Sequence, residues 1–146
     1  MSALSDYLEN KIIDWLLRGQ TFTPPATVYV GLLTVAPSDA GGGTEVTGGS
    51  YTRVAVASSL ANWAGSQSAG STTASSGTGG TTSNNAAVTF PAPTANWGTV
   101  VAFGVYDASS AGNLLFYASL TTSKTINNGD AAPSFAAGAL TFQVDN

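Results

Sequence analysis

From residue 26 onward, apolar residues recur at every second position in short runs, and each run ends in a cluster of Gly, Pro, Asn or Ser. A period of two is the pattern of a strand with one face turned to a core. Residues 26–34 (ATVYVGLLT) are the clearest case. Val28, Val30 and Leu32 share one face and Tyr29, Gly31 and Leu33 the other, so both faces carry apolar groups and a central strand is expected. Residues 51–57 (YTRVAVA), 86–90 (AAVTF), 99–106 (TVVAFGVY), 114–120 (LLFYASL) and 139–144 (ALTFQV) supply further strands. Alternation puts Val101, Phe103 and Val105 on one face of 99–106, opposite Val100, Ala102, Gly104 and Tyr106. In 139–144 it turns Leu140, Phe142 and Val144 toward the core. The turn-rich DASSAGN at 107–113 joins two strands into a hairpin, and Asn127-Asn128-Gly129-Asp130 is a strong turn signal.

One segment has a different period. Over residues 3–18, Leu4, Leu8, Ile12 and Trp15/Leu16 recur at spacings of three and four, which predicts a helix. Ser2 or Ser5 can cap its start, Asp6 and Glu9 suit its positive end, Asp14 and Arg18 form an i,i+4 pair, and Gly19 is a natural stop. Tyr7, Ile13 and Leu17 widen the apolar surface beyond one stripe. Two roles follow: a cover over one end of the sheet core, or a docking helix for a neighbouring subunit. Pro24-Pro25 ends helical structure and starts an extended segment.

The loops limit function less than they limit shape. Residues 36–50 (APSDAGGGTEVTGGS) are glycine-rich, but the run lacks the lysine and spacing of a P-loop and no helical pattern follows it. Residues 64–85 are low in complexity, rich in Ser, Thr and Gly. They bury too little apolar surface to offset ordering entropy, so they read as a peripheral excursion, with ordering against a neighbouring subunit as one option. The expectation is a single domain over residues 1–146, with the β core at about 26–60 and 86–146. Its class is mainly β, an antiparallel β-sandwich or Greek-key barrel with one N-terminal α-helix. A chain of 146 residues buries roughly 68–70% of its unfolded surface without help from metals or disulfides.

Composition removes whole classes of chemistry. The chain has no cysteine and no histidine. Thiol nucleophiles, disulfides, cysteine zinc sites and histidine-dependent mechanisms are therefore excluded. Lys11, Arg18, Arg53 and Lys124 are the basic residues against eight acids, and they do not cluster, so phosphate-backbone binding is not expected. Residues 1–18 interleave apolar and charged positions and do not read as a secretory leader, and no stretch approaches the ~20 apolar residues of a membrane span.

The acids are scattered: Asp39 and Glu45 in one glycine loop, Asp107 and Asp130 in turns, Asp145 at the tail. Nothing pairs two of them as a glycosidase requires, and no run of carboxylates resembles a calcium loop. Aspartates in turns ordinarily fasten the turn. No enzyme activity, cofactor or metal is expected, and a small-molecule ligand is disfavoured. Trp15, Trp63 and Trp97 raise carbohydrate stacking or a subunit boundary, against packing at the core or its edge.

The chain resembles a group of small tailed-phage virion proteins. The residues that carry the resemblance are SALSDYLENKIIDWLLRG, PPATVYVGLLTVAPSDAGGGTEV and GGSYTRVAV in the first half. In the second half they are VTFPAPTANWGTVVAFGVYDASSAGNLLFYASL and KTINNGD. Roughly residues 60–82 look like an insertion relative to that pattern. Members are often labelled tail-fibre-like, while similar small β-rich proteins serve as head decoration, or cement, proteins. The resemblance implies a virion structural protein, with capsid decoration expected first and a tail or fibre-associated protein contacting host glycans as the alternative. A glycan-degrading virion enzyme is a third reading without a catalytic set. The implied partners are the major capsid protein and copies of the chain itself, a homotrimer being the form such cement proteins commonly take. The implied location is the virion, at the capsid surface or the tail.

For interface residues, Tyr51 and Arg53 stand first, because an aromatic–arginine pair after a glycine loop is a common hot-spot composition. Trp63 and Trp97 come second. The competing expectation is that Arg53 pairs with Glu45 within the loop.

Overall fold

The computed structural model describes residues 3–144. Ser2 as a possible helix cap and Asp145 lie outside the described residues. The chain is mainly β, with 37% strand against 8% helix. In chain order the elements are β1 (Ala3–Leu4), α1 (Asp6–Leu17), β2 (Thr27–Val35), β3 (Thr44–Glu45), β4 (Val54–Ala57) and β5 (Thr81–Ser83). They continue with β6 (Val88–Thr89), β7 (Gly98–Tyr106), β8 (Leu114–Ile126), β9 (Ser134–Phe135) and β10 (Thr141–Gln143).

The main sheet runs β1-β8-β7-β2-β3, with β4 also paired to β2. Every pairing is antiparallel. Two short ribbons, β5 with β10 and β6 with β9, form the second layer. Val30, Leu32, Val100, Phe103, Val105 and Ala118 of the sheet meet Val88, Leu140 and Phe142 of the ribbon strands and their flanks in one core. This is the expected sandwich, with one layer broken into two ribbons. Strand β2 is paired along both edges, as its two apolar faces require.

Aromatic rings run through the core as a chain. Trp97 meets Tyr51, Tyr51 stacks on Phe90, and Phe135 links Phe90 to Phe103. Phe142 then joins Phe103 to Phe116 and Trp63. Offset and edge-on ring pairs of this kind add about 0.5–1.5 kcal/mol each beyond burial.

Several boundaries move. The helix starts at Asp6 rather than residue 3, because Ala3 and Leu4 pair with Tyr117 and Phe116 of β8. Ser5 is the N-cap; its hydroxyl accepts from Leu8 N at 3.3 Å and donates to the Leu114 carbonyl. Arg18 closes the helix and Gly19 follows with φ 66°, the left-handed stop its position predicts. Leu8 is the buried residue of α1, so the helix covers the sheet with its first half alone. Among the described residues no helix is long and apolar enough to cross a membrane.

In β7, Val100 and not Val101 joins the core, since the register against β8 shifts between Val100 and Ala102 and the buried positions change phase there. Val144 is 68% exposed because β10 ends at Gln143. Residues 51–53 stay outside any strand. Residues 81–83 of the Ser/Gly/Thr-rich stretch pair with β10, and Asn84 is buried, so the excursion ends at residue 80 rather than 85. Within it, Gln67 Nε2 donates to Ser71 Oγ and Thr73 Oγ1 at 2.7 and 2.6 Å, and Asn85 Nδ2 donates to the Ser71 carbonyl at 3.3 Å.

Candidate interaction surfaces

Tyr51 and Arg53 are built into a gap in the sheet. Along the outer edge of β2, β4 pairs Thr27–Val30 and β3 pairs from Leu33 onward. Leu32 N therefore faces no strand; it donates to Tyr51 Oη at 2.8 Å. Tyr51 Oη in turn donates to Glu45 Oε1 at 2.8 Å. Arg53 grips the same carboxylate with both prongs, Nε to Oε1 at 2.8 Å and Nη2 to Oε2 at 2.7 Å. Its Nη1 reaches the carbonyls of Ala108 and Ala111 at 2.8 and 2.9 Å, tying the β7–β8 turn to the loop. Ala111 holds a φ of 50°, a backbone angle a non-glycine residue keeps only when its surroundings enforce it.

The floor of this cluster is a pair of glycines. Gly31 and Gly104 are register partners on β2 and β7. A Cβ on Gly31 would lie 2.9 Å from Glu45 Oε1 and 3.1 Å from Tyr51 Oη; one on Gly104 would lie 2.9 Å from Tyr106 Cε2 and Leu114 Cδ1. The bare backbone lets the Tyr106 ring lie flat, and the Arg53 guanidinium sits 3.5 Å above its centroid. Burial, with help from Glu45, raises the pKa of both Tyr51 and Tyr106. Burial opposes the charge on Arg53, but its bonds and attraction to Glu45 outweigh that and its pKa rises.

The Arg53 side chain is 6% exposed. The pair expected on an outer surface thus lies within the chain, with its polar atoms satisfied there. Arg53 with Glu45 is the arrangement present, a fork-to-carboxylate contact that lysine would not reproduce.

Trp97 is 5% exposed, donates Nε1 to the Gly49 carbonyl at 2.9 Å and sits edge-on to Tyr51 at 5.3 Å. It is a core residue. Trp63 is half-buried at the rim, edge-on to Phe142 at 5.6 Å. There it lines a cleft of about 200 Å³ with Val28, Thr82, Val105, Phe116 and Phe142. A wider groove of about 440 Å³, bordered by Ser59, Leu60 and Ser75, continues from its other side.

The carboxylates act as fasteners. Asp107 accepts from Asn113 N and Nδ2, both at 2.7 Å, and Asp130 accepts from Asn127 N at 2.7 Å. Asp39 accepts from Tyr117 Oη, and that bond pushes the tyrosine's pKa up to about 12. Among the described residues no group of three or more acidic side chains converges as a metal site would require.

The second half of α1, raised from the sequence as part of a docking helix, is open to solvent. Ile13 is 48% exposed, Trp15 56%, Leu16 65% and Leu17 77%. The signal was the width of the apolar arc, to which Ile13 and Leu17 contribute.

A sequence profile of the family described as Podophage GP4 fiber I protein gp80 matches residues 3–143. No curated protein matches the chain. The matched span takes in β1, α1, the Glu45–Tyr51–Arg53 cluster, both ribbons and the sheet. On that match this chain belongs to the podophage GP4 fiber I protein gp80 family, a family of tailed-phage virion proteins.

Proposed function

We propose that the chain is a non-enzymatic assembly subunit of the fibre apparatus, acting through protein–protein contacts. The observation that carries this reading is the set of four apolar residues, Ile13, Trp15, Leu16 and Leu17, left exposed at the end of α1 in a member of a fiber-protein family. A soluble domain gains nothing by exposing Trp15 and Leu17 unless an assembly covers them. The sequence has no shaft-like repeat, so the role is that of a compact module joined to a fibre.

A second reading is capsid decoration, with the major capsid protein as partner. A compact body with sparse charge favours it. Binding only the assembled lattice would stabilise that state by linkage, multiplied by avidity over many copies.

Particle imaging beside a quantitative gel of virion proteins separates the two. A small number of copies at the tail is the expected result. Hundreds of copies over the head would overturn the fibre reading and establish decoration.

A further inference from the structure

We propose that the cavity between the first turn of α1, the loop at residues 39–42 and the end of the β7–β8 turn binds an alkyl-ammonium or guanidinium group, the chemistry a partner protein presents as a lysine or arginine side chain. The inference rests on the reading that the chain works through protein–protein contacts, and it names the chemistry of one such contact.

The cavity holds about 350 Å³, within the ~300–1,000 Å³ of ligand sites. Asp6 and Asp39 line it. The fold fixes them together: Asp6 N donates to the Asp39 carbonyl at 2.8 Å, and the Asp39 side chain accepts from Tyr117 Oη on β8. Glu9 lies near enough for its charge, with those of Asp39 and Asp6, to help keep the Tyr117 hydroxyl protonated. The helix macrodipole favours Asp6 and Glu9 in the first turn of α1. It gives no reason for Asp39, which the glycine loop brings to the same place.

No base answers these acids. Among the described residues the ion pairs are Arg18 with Asp14 and Arg53 with Glu45, and no Lys or Arg lines the cavity. Lys11 lies over the Tyr7 ring, 5.7 Å from its centroid. Arg53 lies over the Tyr106 ring but is matched by Glu45. Carboxylates held together without a counter-charge repel one another. A cation entering the cavity relieves that repulsion. A neutral sugar leaves it in place, and a phosphate adds to it.

Tyr106 supplies an independent pointer. It is 8% exposed and lines the same cavity. Its hydroxyl makes no hydrogen bond among the described residues. Nor is that oxygen sealed in the core, since the buried side-chain atom without a partner is Asn85 Oδ1. The Tyr106 hydroxyl therefore opens on the cavity its side chain lines. A hydroxyl so nearly buried is costly to leave unpartnered, and an N–H donor arriving there satisfies it. Asn113 adds a second acceptor: its Nδ2 is bonded to Asp107 Oδ2 at 2.7 Å, which leaves Oδ1 to face a ligand. These side chains offer acceptors, and Lys and Arg side chains end in donors alone. A bare calcium ion takes six to eight oxygen ligands, usually with several carboxylates, and no group of three acids among the described residues could hold a metal. That turns the choice to an organic cation.

Backbone-amide NMR of the full chain tests this, by titration with N-acetyl-arginine methylamide and N-acetyl-lysine methylamide at constant ionic strength. At least one is expected to give saturable shifts confined to residues 5–7, 39–42 and 112–114, with Kd on the order of 1–10 mM. Asp6→Asn and Asp39→Asn should each weaken binding by about threefold, the scale of one exposed charge pair. Tyr106→Phe keeps the ring beneath Arg53 and should weaken it by about as much. Asp14→Asn removes the same charge from the same helix outside the cavity and should leave binding unchanged. The two cavity aspartates are exposed, so their variants decide the result even where Tyr106→Phe lowers stability. Absence of saturable shifts with both probes would overturn the proposal. So would equal shifts with N-acetyl-alanine methylamide, or saturation of these residues by methyl glucoside or calcium chloride in place of the two cations. An equal loss in Asp14→Asn would overturn it as well, by reducing binding to general charge attraction. Particle location does not enter this readout, so a head or tail result bears on the fibre reading alone.

Discussion

Arg53 and Leu17 belong to two regions whose exposure is the reverse of what residue type alone suggests. The Glu45–Tyr51–Arg53–Tyr106 cluster has the aromatic and arginine composition of an interface, yet Tyr51 and Arg53 spend their donors inside the chain, on the Glu45 carboxylate and two backbone carbonyls. The outer half of α1 has ordinary core composition, yet it is open to solvent. Composition reports what a side chain can bind. Whether it remains available depends on what the fold brings to it.

The sharpest way to break this contrast is Arg53→Ala. Removing one partner of a largely buried pair costs about 3–5 kcal/mol, here toward the lower end because Glu45 is 24% exposed and can rehydrate. Urea denaturation should show the loss. A stable variant that fails only in assembly would mean that Arg53 is an interface residue after all. Gly104→Ala should cost about 1–3 kcal/mol by overpacking, because its Cβ would press on Tyr106 and Leu114. An unchanged melting temperature would show that the ring can move and that the glycine floor is not required.

Tyr51→Phe sharpens the comparison further. It leaves Leu32 N without its acceptor, at about 1–2 kcal/mol near neutral pH. It should also change the alkaline response. Tyr51, Tyr106 and Tyr117 all have raised pKa values in the fold. In the unfolded chain they ionise near pH 10. Above that pH the unfolded state binds fewer protons than the native one, so stability present below about pH 10 is lost as pH rises toward the folded values. Urea titrations across that range should show the decline in the parent and a shallower one in Tyr51→Phe. Equal slopes would remove Tyr51 as a contributor. The smallest effect belongs to the open region: Leu17→Glu should shift the stability of the isolated domain by no more than about 0.5 kcal/mol. A large drop would mean that the helix face packs on its own chain.

Much of this was legible in the sequence. Ser5 at the helix start, Gly19 at its end and the turns at residues 107–113 and 127–130 behave as their local chemistry predicts. Each is decided by contacts within a few residues. The misplacements have a common cause in long-range pairing. Ala3 and Leu4 are drawn out of the helical pattern by β8, more than a hundred residues away in sequence. Residues 81–83 of a low-complexity run become a strand because β10 pairs with them. Val100 replaces Val101 in the core because β7 and β8 slip in register.

Period-two patterning, turn residues and one stretch of three-and-four spacing were enough to determine a mainly β chain with one helix, and the motifs tied it to tailed-phage virion proteins. The tertiary structure alone decided which residues face outward. Arg53 is enclosed because the β7–β8 turn, more than fifty residues on, offers it two carbonyls. Leu17 is open because the sheet that holds Leu8 has nothing on the opposite side of the helix. Local pattern is set by neighbours along the chain, whereas exposure is set by neighbours in space, and those are fixed only when distant strands meet.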